Sequence, residues 1–305
     1  MADKAIMVIK AISPLHFGSG ESLGLVDRPI VREKASTFPF APGPSIKGRL
    51  RAFFSQRLKE TAEKEIVNIL FGPDVKHGAD HEGAISFGDG RLLAFPIRCL
   101  GGPFIWATSP LALNRFAETL DLYIDKGGKD TRAFLTTKSL LESIIIPPSM
   151  VDKIAIGSAG NQRILLEEFT LPVTPDSDWG ELAGALSTLL FTGDEGLMQL
   201  YFMDRFIILP EEVFAYFLAR ATAVFANIAI GDKGTTSDGS LRYTEYLPED
   251  TILYSFLSFG DGRGLEKMPS LQVCSKFTEH CPQRAIQMGG DETTGKGIVR
   301  LRLLP

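Results

Sequence analysis

The stretch Gly289-Gly290-Asp291-Glu292-Thr293-Thr294-Gly295-Lys296-Gly297, running on into Ile298-Val-Arg-Leu-Arg-Leu-Leu304, decides how this chain is read. Within it, Gly290 to Lys296 satisfies G-x-x-x-x-G-K, the spacing of a nucleotide-binding phosphate loop. Such a loop needs a Ser or Thr after the lysine to reach Mg²⁺, and a helix whose first amides aim at the phosphates. Gly297 stands in the hydroxyl position instead. The residues after it are β-branched and partly alternate apolar with cationic, so they read as a strand and leave no room for a helix. ATP or GTP binding is set aside on that ground. Glycines and threonines around one lysine still let backbone N–H groups face an anion without Cβ obstruction, and Lys296 adds charge. Two readings stay open on these residues alone: a loop facing a polyphosphate or nucleic-acid backbone, or an ordinary glycine turn.

Outward from that strand, the chain alternates short strands with a few helices. Met7 to Ile12 reads as a strand, followed by a Gly- and Ser-rich loop from Leu15 to Gly24. Val26 to Val31 is a short edge element, because Pro29 interrupts any ladder. Leu50, Phe53, Phe54 and Leu58 fall at helical spacing, with Ser45 as candidate N-cap. Ile85 to Ala94 reads as a strand with a bulge-like glycine, and Ser109-Pro110 opens a helix with proline at its first position. Residues 182–190 and 211–225 read as helices, the second with acids in its first turn. Asn227 to Ile230 and Leu241 to Leu247 flank a glycine-rich loop as a hairpin. Thr251 to Phe259 reads as a strand partnered by the last one, and 121–150 and 171–182 as surface connections. Without a steady βαβ period, the class is α+β.

With 305 residues, 44% of them hydrophobic, the chain can bury a large core in one elaborated domain or two modest ones. A net charge of −5 argues against a broad basic face for nucleic acid but leaves room for a local groove. Cations concentrate from Lys47 to Lys59 and at Lys296, Arg300 and Arg302. No apolar run is long enough to span a bilayer. The start resembles a strand rather than a signal peptide, and three cysteines suit a reducing compartment. The expectation is a cytoplasmic protein with no membrane contact. His77-Gly-Ala-Asp-His81 is a glycine-containing loop, and Cys274 with His280-Cys281 is one ligand short, so structural zinc is not expected.

Seven segments together resemble a known family: Leu15-His16-Phe-Gly-Ser-Gly20, Val26-Asp27-Arg28-Pro29, Pro42-Gly-Pro-Ser-Ile-Lys47-Gly-Arg49-Leu-Arg51, Leu70-Phe-Gly72, Ile85-Ser-Phe-Gly-Asp-Gly-Arg-Leu-Leu93, Tyr243-Thr-Glu245-Tyr246-Leu-Pro248 and Gly289 to Gly297. Their order resembles the RAMP superfamily, and within it the repeated backbone subunit of type III-B CRISPR effector complexes, the Cmr complex. The resemblance implies a single domain over 1–305 with an RRM-like (ferredoxin-like) palm, inserted fingers and a thumb β-hairpin at about 227–247. It implies variable insertions at about 73–83 and 121–150. As partners it implies a CRISPR guide RNA, copies of the chain stacked in a helical filament, other subunits of the effector complex, and a complementary target RNA cut near the thumb. It sets Gly289, Gly290, Thr293, Thr294, Gly295, Lys296 and Gly297 beside RNA, and Lys47, Arg49 and Arg51 at a helix N-terminus make a phosphate site that combines side-chain charge with unsatisfied amides.

For cleavage the resemblance points first to Asp27. In-line attack by a ribose 2′-hydroxyl needs a kinked backbone, help in removing the proton and charge stabilisation at phosphate. A carboxylate can act as base or hold Mg²⁺, so a transient divalent cation at Asp27 is expected, and no nucleotide cofactor. His16, which titrates near neutral pH, and Glu245 and Tyr246 at the thumb base are the further catalytic candidates. Thr244 stands where the family commonly carries an acid, Asn227 where an arginine is expected, and Pro44 where a small polar residue is common. From the residues alone, Asp27 reads rather as a turn-capping carboxylate beside Arg28, and Tyr246 equally as strand packing. The alternatives are a purely structural guide-binding subunit and a stand-alone RNA-processing nuclease; the acidic balance and lack of a His pair disfavour the latter.

Overall fold

The computed structural model describes residues 4–73, 81–123, 131, 133–134, 143–158, 160–191, 195–228, 240–263, 267–282 and 285–304. The chain begins with β1 (Lys4–Ala11), β2 (Phe40–Ala41), α1 (Gly43–Arg57) and α2 (Thr61–Phe71). Next come β3 (Ile85–Phe87), β4 (Gly90–Cys99), β5 (Gly102–Thr108), α3 (Pro110–Tyr123), β6 (Ile144–Ile146), β7 (Arg163–Leu166), β8 (Phe169–Pro175) and α4 (Ser177–Leu190). Then follow α5 (Gly196–Met203), β9 (Phe206–Ile208), α6 (Glu211–Arg220), the hairpin β10 (Ala223–Asn227) and β11 (Arg242–Tyr246), and β12 (Ile252–Phe259). A small ribbon, β13 (Gly262–Arg263) and β14 (Lys267–Met268), leads to α7 (Ser270–His280), β15 (Ile286–Gln287) and β16 (Ile298–Leu304).

An antiparallel sheet runs β15-β16-β1-β12-β4. β1 is buried from Ala5 to Ala11 because both its faces are covered. Side chains alternate along a strand, so Ala5, Met7 and Ile9 enter one core and Ile6 and Val8 the other. The first core is roofed by α1, α2 and α7, whose Phe54 and Phe277 rings stack 5.5 Å apart. The second holds Phe116 of α3, Trp179 of α4 and Tyr254 of β12. β4 is long enough to serve two systems: its first half pairs β12, its second half β5. From β5 the ladder continues through β9, β6, β8 and β7, and β7 returns to β4 at Cys99↔Leu166, closing a six-stranded ring.

The α+β class stands, with several corrections in detail. The strand from Ile252 pairs β1 and β4, and β1 lies between it and the last strand. Residues 171–182 are not a surface connection: they hold the end of β8 and the start of α4, with Asp176 as a capping side chain for the Trp179 amide. Ile144, Ile145 and Ile146 of the 121–150 stretch form a wholly buried strand. The helix expected over 211–225 ends at Arg220, and Ala223 begins β10. α1 starts at Gly43 with Pro42, not Ser45, in the cap position. Its free Gly43 amide donates to Asp89 Oδ1 at 2.7 Å, an acid where the helix dipole favours one. Pro110 does open α3, and Ser109 Oγ accepts from the Ala112 amide. His77 and the 229–239 tip of the hairpin lie outside the described residues.

Candidate functional site

The terminal glycine loop is built by packing on the exit of β1. Gly290 donates its amide to the His16 carbonyl and Gly297 to that of Pro14, each at 2.8 Å. Gly289 (φ +82°) and Gly297 (φ +81°) adopt left-handed backbone, and a Cβ would lie 2.5 Å from the His16 oxygen at the first and 2.2 Å from the Met288 oxygen at the second. The amides of Thr294, Gly295 and Lys296 are likewise bonded within the loop, to carbonyls of Asp291 and Glu292. This corrects the expectation that these amides face an anion: the glycines permit close approach of two backbones. What the loop offers outward is Glu292, Thr293, Thr294 and Gly295, all exposed. Lys296 folds its ammonium over the Phe225 ring at 4.4 Å and the Tyr246 ring at 5.6 Å, a cation–π seat on the base of the β10–β11 hairpin.

The segment that carries Asp27 docks on the same base. Arg28 donates its amide to Tyr243 O and accepts from the Glu245 amide, forming an isolated parallel bridge to Thr244. Asp27 Oδ2 accepts from the Tyr243 amide at 2.7 Å, and the residue is half-buried. Upstream, Leu23 and Leu25 are fully exposed. Alternation along β11 sends Glu245 one way and Tyr246 the other. Glu245, 7% exposed, takes Arg32 Nη2 at 2.6 Å on one oxygen and the Ile30 amide at 3.0 Å on the other. Tyr246, 1% exposed, donates its hydroxyl to Asp291 Oδ2 at 2.7 Å. Burial and that acidic neighbour push its phenol up to about 12. His16, 4% exposed, has Nδ1 2.8 Å from Glu245 O; a carbonyl only accepts, so Nδ1 carries the proton.

Lys47, Arg49 and Arg51 of α1 do not form one patch. Residues four apart share a helix face, so Lys47 goes with Arg51 and Arg49 points elsewhere. Arg49 reaches the terminal loop, donating Nε to Gln287 O at 2.6 Å and pairing with Glu292 at 3.5 Å. Arg51 is spent on the end of α2, donating to the carbonyls of Gly72 and Pro73. Lys47 lines a cleft of about 610 Å³ with Pro44, Gly72, Pro73 and His81. Arg300 pairs with Glu195 at 2.6 Å, and Arg302 is part-buried against Thr188 O, so the expected basic run on the last strand is not a free stripe.

The sequence pattern of the RAMP superfamily matches residues 8–300. The chain belongs to the RAMP superfamily. Within it, the chain is 34% identical over 304 residues to the CRISPR system Cmr endoribonuclease Cmr4 of Pyrococcus furiosus, covering 98% of this chain and 96% of that protein. It is 26% identical to the CRISPR system CMR subunit Cmr4 of Saccharolobus solfataricus, over 97% and 95%. Among solved RAMP structures, oligomeric Cmr4 from Pyrococcus furiosus superposes with TM-score 0.70 at 26% identity, covering 99% of this chain and 97% of that one. A chain of the type III-B Cmr-beta complex bound to cognate target RNA shares the fold, with TM-score 0.73 at 20% identity over 99% and 97%.

Two residues of this RAMP chain shape the site without having been singled out from sequence. Asp291 (φ +60°) joins the terminal loop to Arg28 and Tyr246; its one signal is an Asp between turn residues, where left-handed backbone is tolerated. Arg32 anchors Glu245, and nothing near it in sequence points to that pairing. Among the described residues no group of three or more His, Cys, Asp or Glu could hold a metal ion, and no helix is long and apolar enough to cross a membrane.

Proposed function

We propose that this chain is the guide-RNA-binding backbone subunit of a type III-B CRISPR effector complex and cuts the complementary target RNA, with Asp27 in the cleavage site. The observation that carries this reading is the 34% identity to a Cmr endoribonuclease along nearly the whole of both chains. Its partners on this reading are guide RNA, target RNA, further copies in a filament and the other subunits of the complex. The palm is RRM-like: β16-β1-β12-β4 has the order last, first, third, second of a ferredoxin-like sheet, with α1 and α7 on one face. The whole chain is one such domain, with β10–β11 as the base of the thumb and insertions near 73–83 and 121–150.

On the guide side, Lys47 and the exposed Thr293, Thr294 and Gly295 are the groups placed to meet a ribose–phosphate chain, with Arg49 holding the terminal loop beside α1. On the target side, Asp27 supplies a carboxylate at the thumb base, oriented by the Tyr243 amide, to take the proton of an attacking 2′-hydroxyl. Glu245 and Tyr246 act as supports, their polar atoms buried and given to neighbours, and His16 gives Nδ1 to the Glu245 carbonyl. One carboxylate does not build a resident metal site, so Mg²⁺ enters no step here. The test is an assembled complex with guide and end-labelled target. Asp27→Ala is expected to abolish cutting while target affinity stays within about threefold. Normal cutting by that variant refutes the assignment, and an intact target with the unaltered chain would favour a purely structural subunit.

A further inference from the structure

We infer that Asp291 is a positioning residue for target cleavage, a tether that fixes the Asp27 segment to the thumb base and to the terminal glycine loop. The inference rests on the reading of Asp27 as the cleavage residue. Three segments distant in sequence meet at this one carboxylate: Oδ1 accepts from Arg28 Nη1 at 3.1 Å and Oδ2 from the Tyr246 hydroxyl at 2.7 Å. An ionised carboxylate is acceptor-only and binds such donors more strongly than a neutral group does. Burial alone would raise the pKa of Asp291. The Tyr246 hydroxyl, the Arg28 guanidinium and the field of His16 outweigh burial and lower it, keeping both bonds charge-assisted.

Arg28 is the neighbour of Asp27, so this ion pair acts one peptide away from the proposed base. The backbone there has a single bridge to Thr244 and a turn bond from the Ser22 amide to the Asp27 carbonyl, not a ladder. On its other side the loop ends in the exposed Leu23 and Leu25, which hold nothing in place. The anchor itself is stiff, because the Asp291 carbonyl accepts from the Thr294 amide, the Thr294 hydroxyl and the Lys296 amide. The choice of residue is also informative. At φ +60° next to Gly290, a glycine would sit without strain, yet the position carries a charged side chain with both oxygens in use.

The experiment uses the assembled complex with guide and end-labelled complementary RNA. Asp291→Gly removes the carboxylate without penalising left-handed backbone, and Asp291→Asn keeps one acceptor and the turn. The glycine variant is expected to cut at least about tenfold more slowly with guide and target affinities within about threefold, the asparagine variant less so. Arg28→Ala should slow cutting similarly, and the double variant should be no slower than the slower single one, since the two act as a unit. Hydrogen exchange over residues 18–30 should speed up in Asp291→Gly. Wild-type cutting by Asp291→Gly, multiplied losses in the double variant, or unchanged exchange over 18–30 would each overturn the tether. A normally cutting Asp27→Ala complex defeats the parent assignment instead, and the exchange readout then judges the tether independently.

Discussion

A phenol at about 12 stays protonated at neutral pH, so Tyr246 serves as a donor to Asp291 and not as a base. Its folded pKa lies above the value of about 10 for an exposed tyrosine. Its contribution to stability is therefore complete below about pH 10 and is lost as pH rises through the folded value. An ultraviolet phenolate titration should show late ionisation of Tyr246 and Tyr254, both raised to about 12, and Tyr246→Phe should remove one of those steps. Glu245 makes a different prediction. Glu245→Ala leaves the Arg32 guanidinium and the Ile30 amide without their acceptor, at a cost of about 2–3 kcal/mol. Urea denaturation should show that as a lower midpoint with an unchanged slope. The sequence put Glu245 and Tyr246 at the thumb base and strand alternation separates them, but their partners lie 213 and 45 residues away. Nothing local in a sequence reports a pairing at that range.

Elements show the same division between residue type and use. The α1 cations were legible as a cluster, and helical spacing alone splits Lys47 and Arg51 from Arg49; that Arg51 caps α2 depends on where α2 ends. Lys47→Ala should weaken guide binding and lower the salt slope by about 1. Arg51→Ala should cost stability and leave that slope alone. The terminal loop offers a sharper contrast. Gly289→Ala meets both a left-handed backbone and the His16 carbonyl, and should cost about 2–3 kcal/mol in thermal or urea unfolding. Gly295→Ala has the same backbone strain with open space around it, and should cost about 1 kcal/mol. The glycines announced a special loop in the sequence. They did not say whether an anion or another strand filled the space above them.

For the molecule as a whole, the α+β class was readable because apolar runs such as β1 and β12 and a helix-opening proline such as Pro110 of α3 stand out in the sequence. The ring was not, since β6 and β9 are three-residue apolar runs, too short for any period. The acidic balance was also readable, but its arrangement was not: Glu195 lies between Lys10 and Arg300, which face each other across β1 and β16. Native-state hydrogen exchange should be slowest in β1, β12 and β4, covered on both faces, and much faster in β10, whose residues are largely exposed.

The pairing of β1 with β16 joins opposite ends of the sequence. During translation β1 leaves the ribosome long before its neighbour on that side, so a bare hydrophobic edge must wait while the intervening residues are made. Such long-range closure is slow and exposes strand edges to wrong partners. Production in cells should therefore respond to chaperone supply and to growth temperature more than the depth of the finished core would suggest.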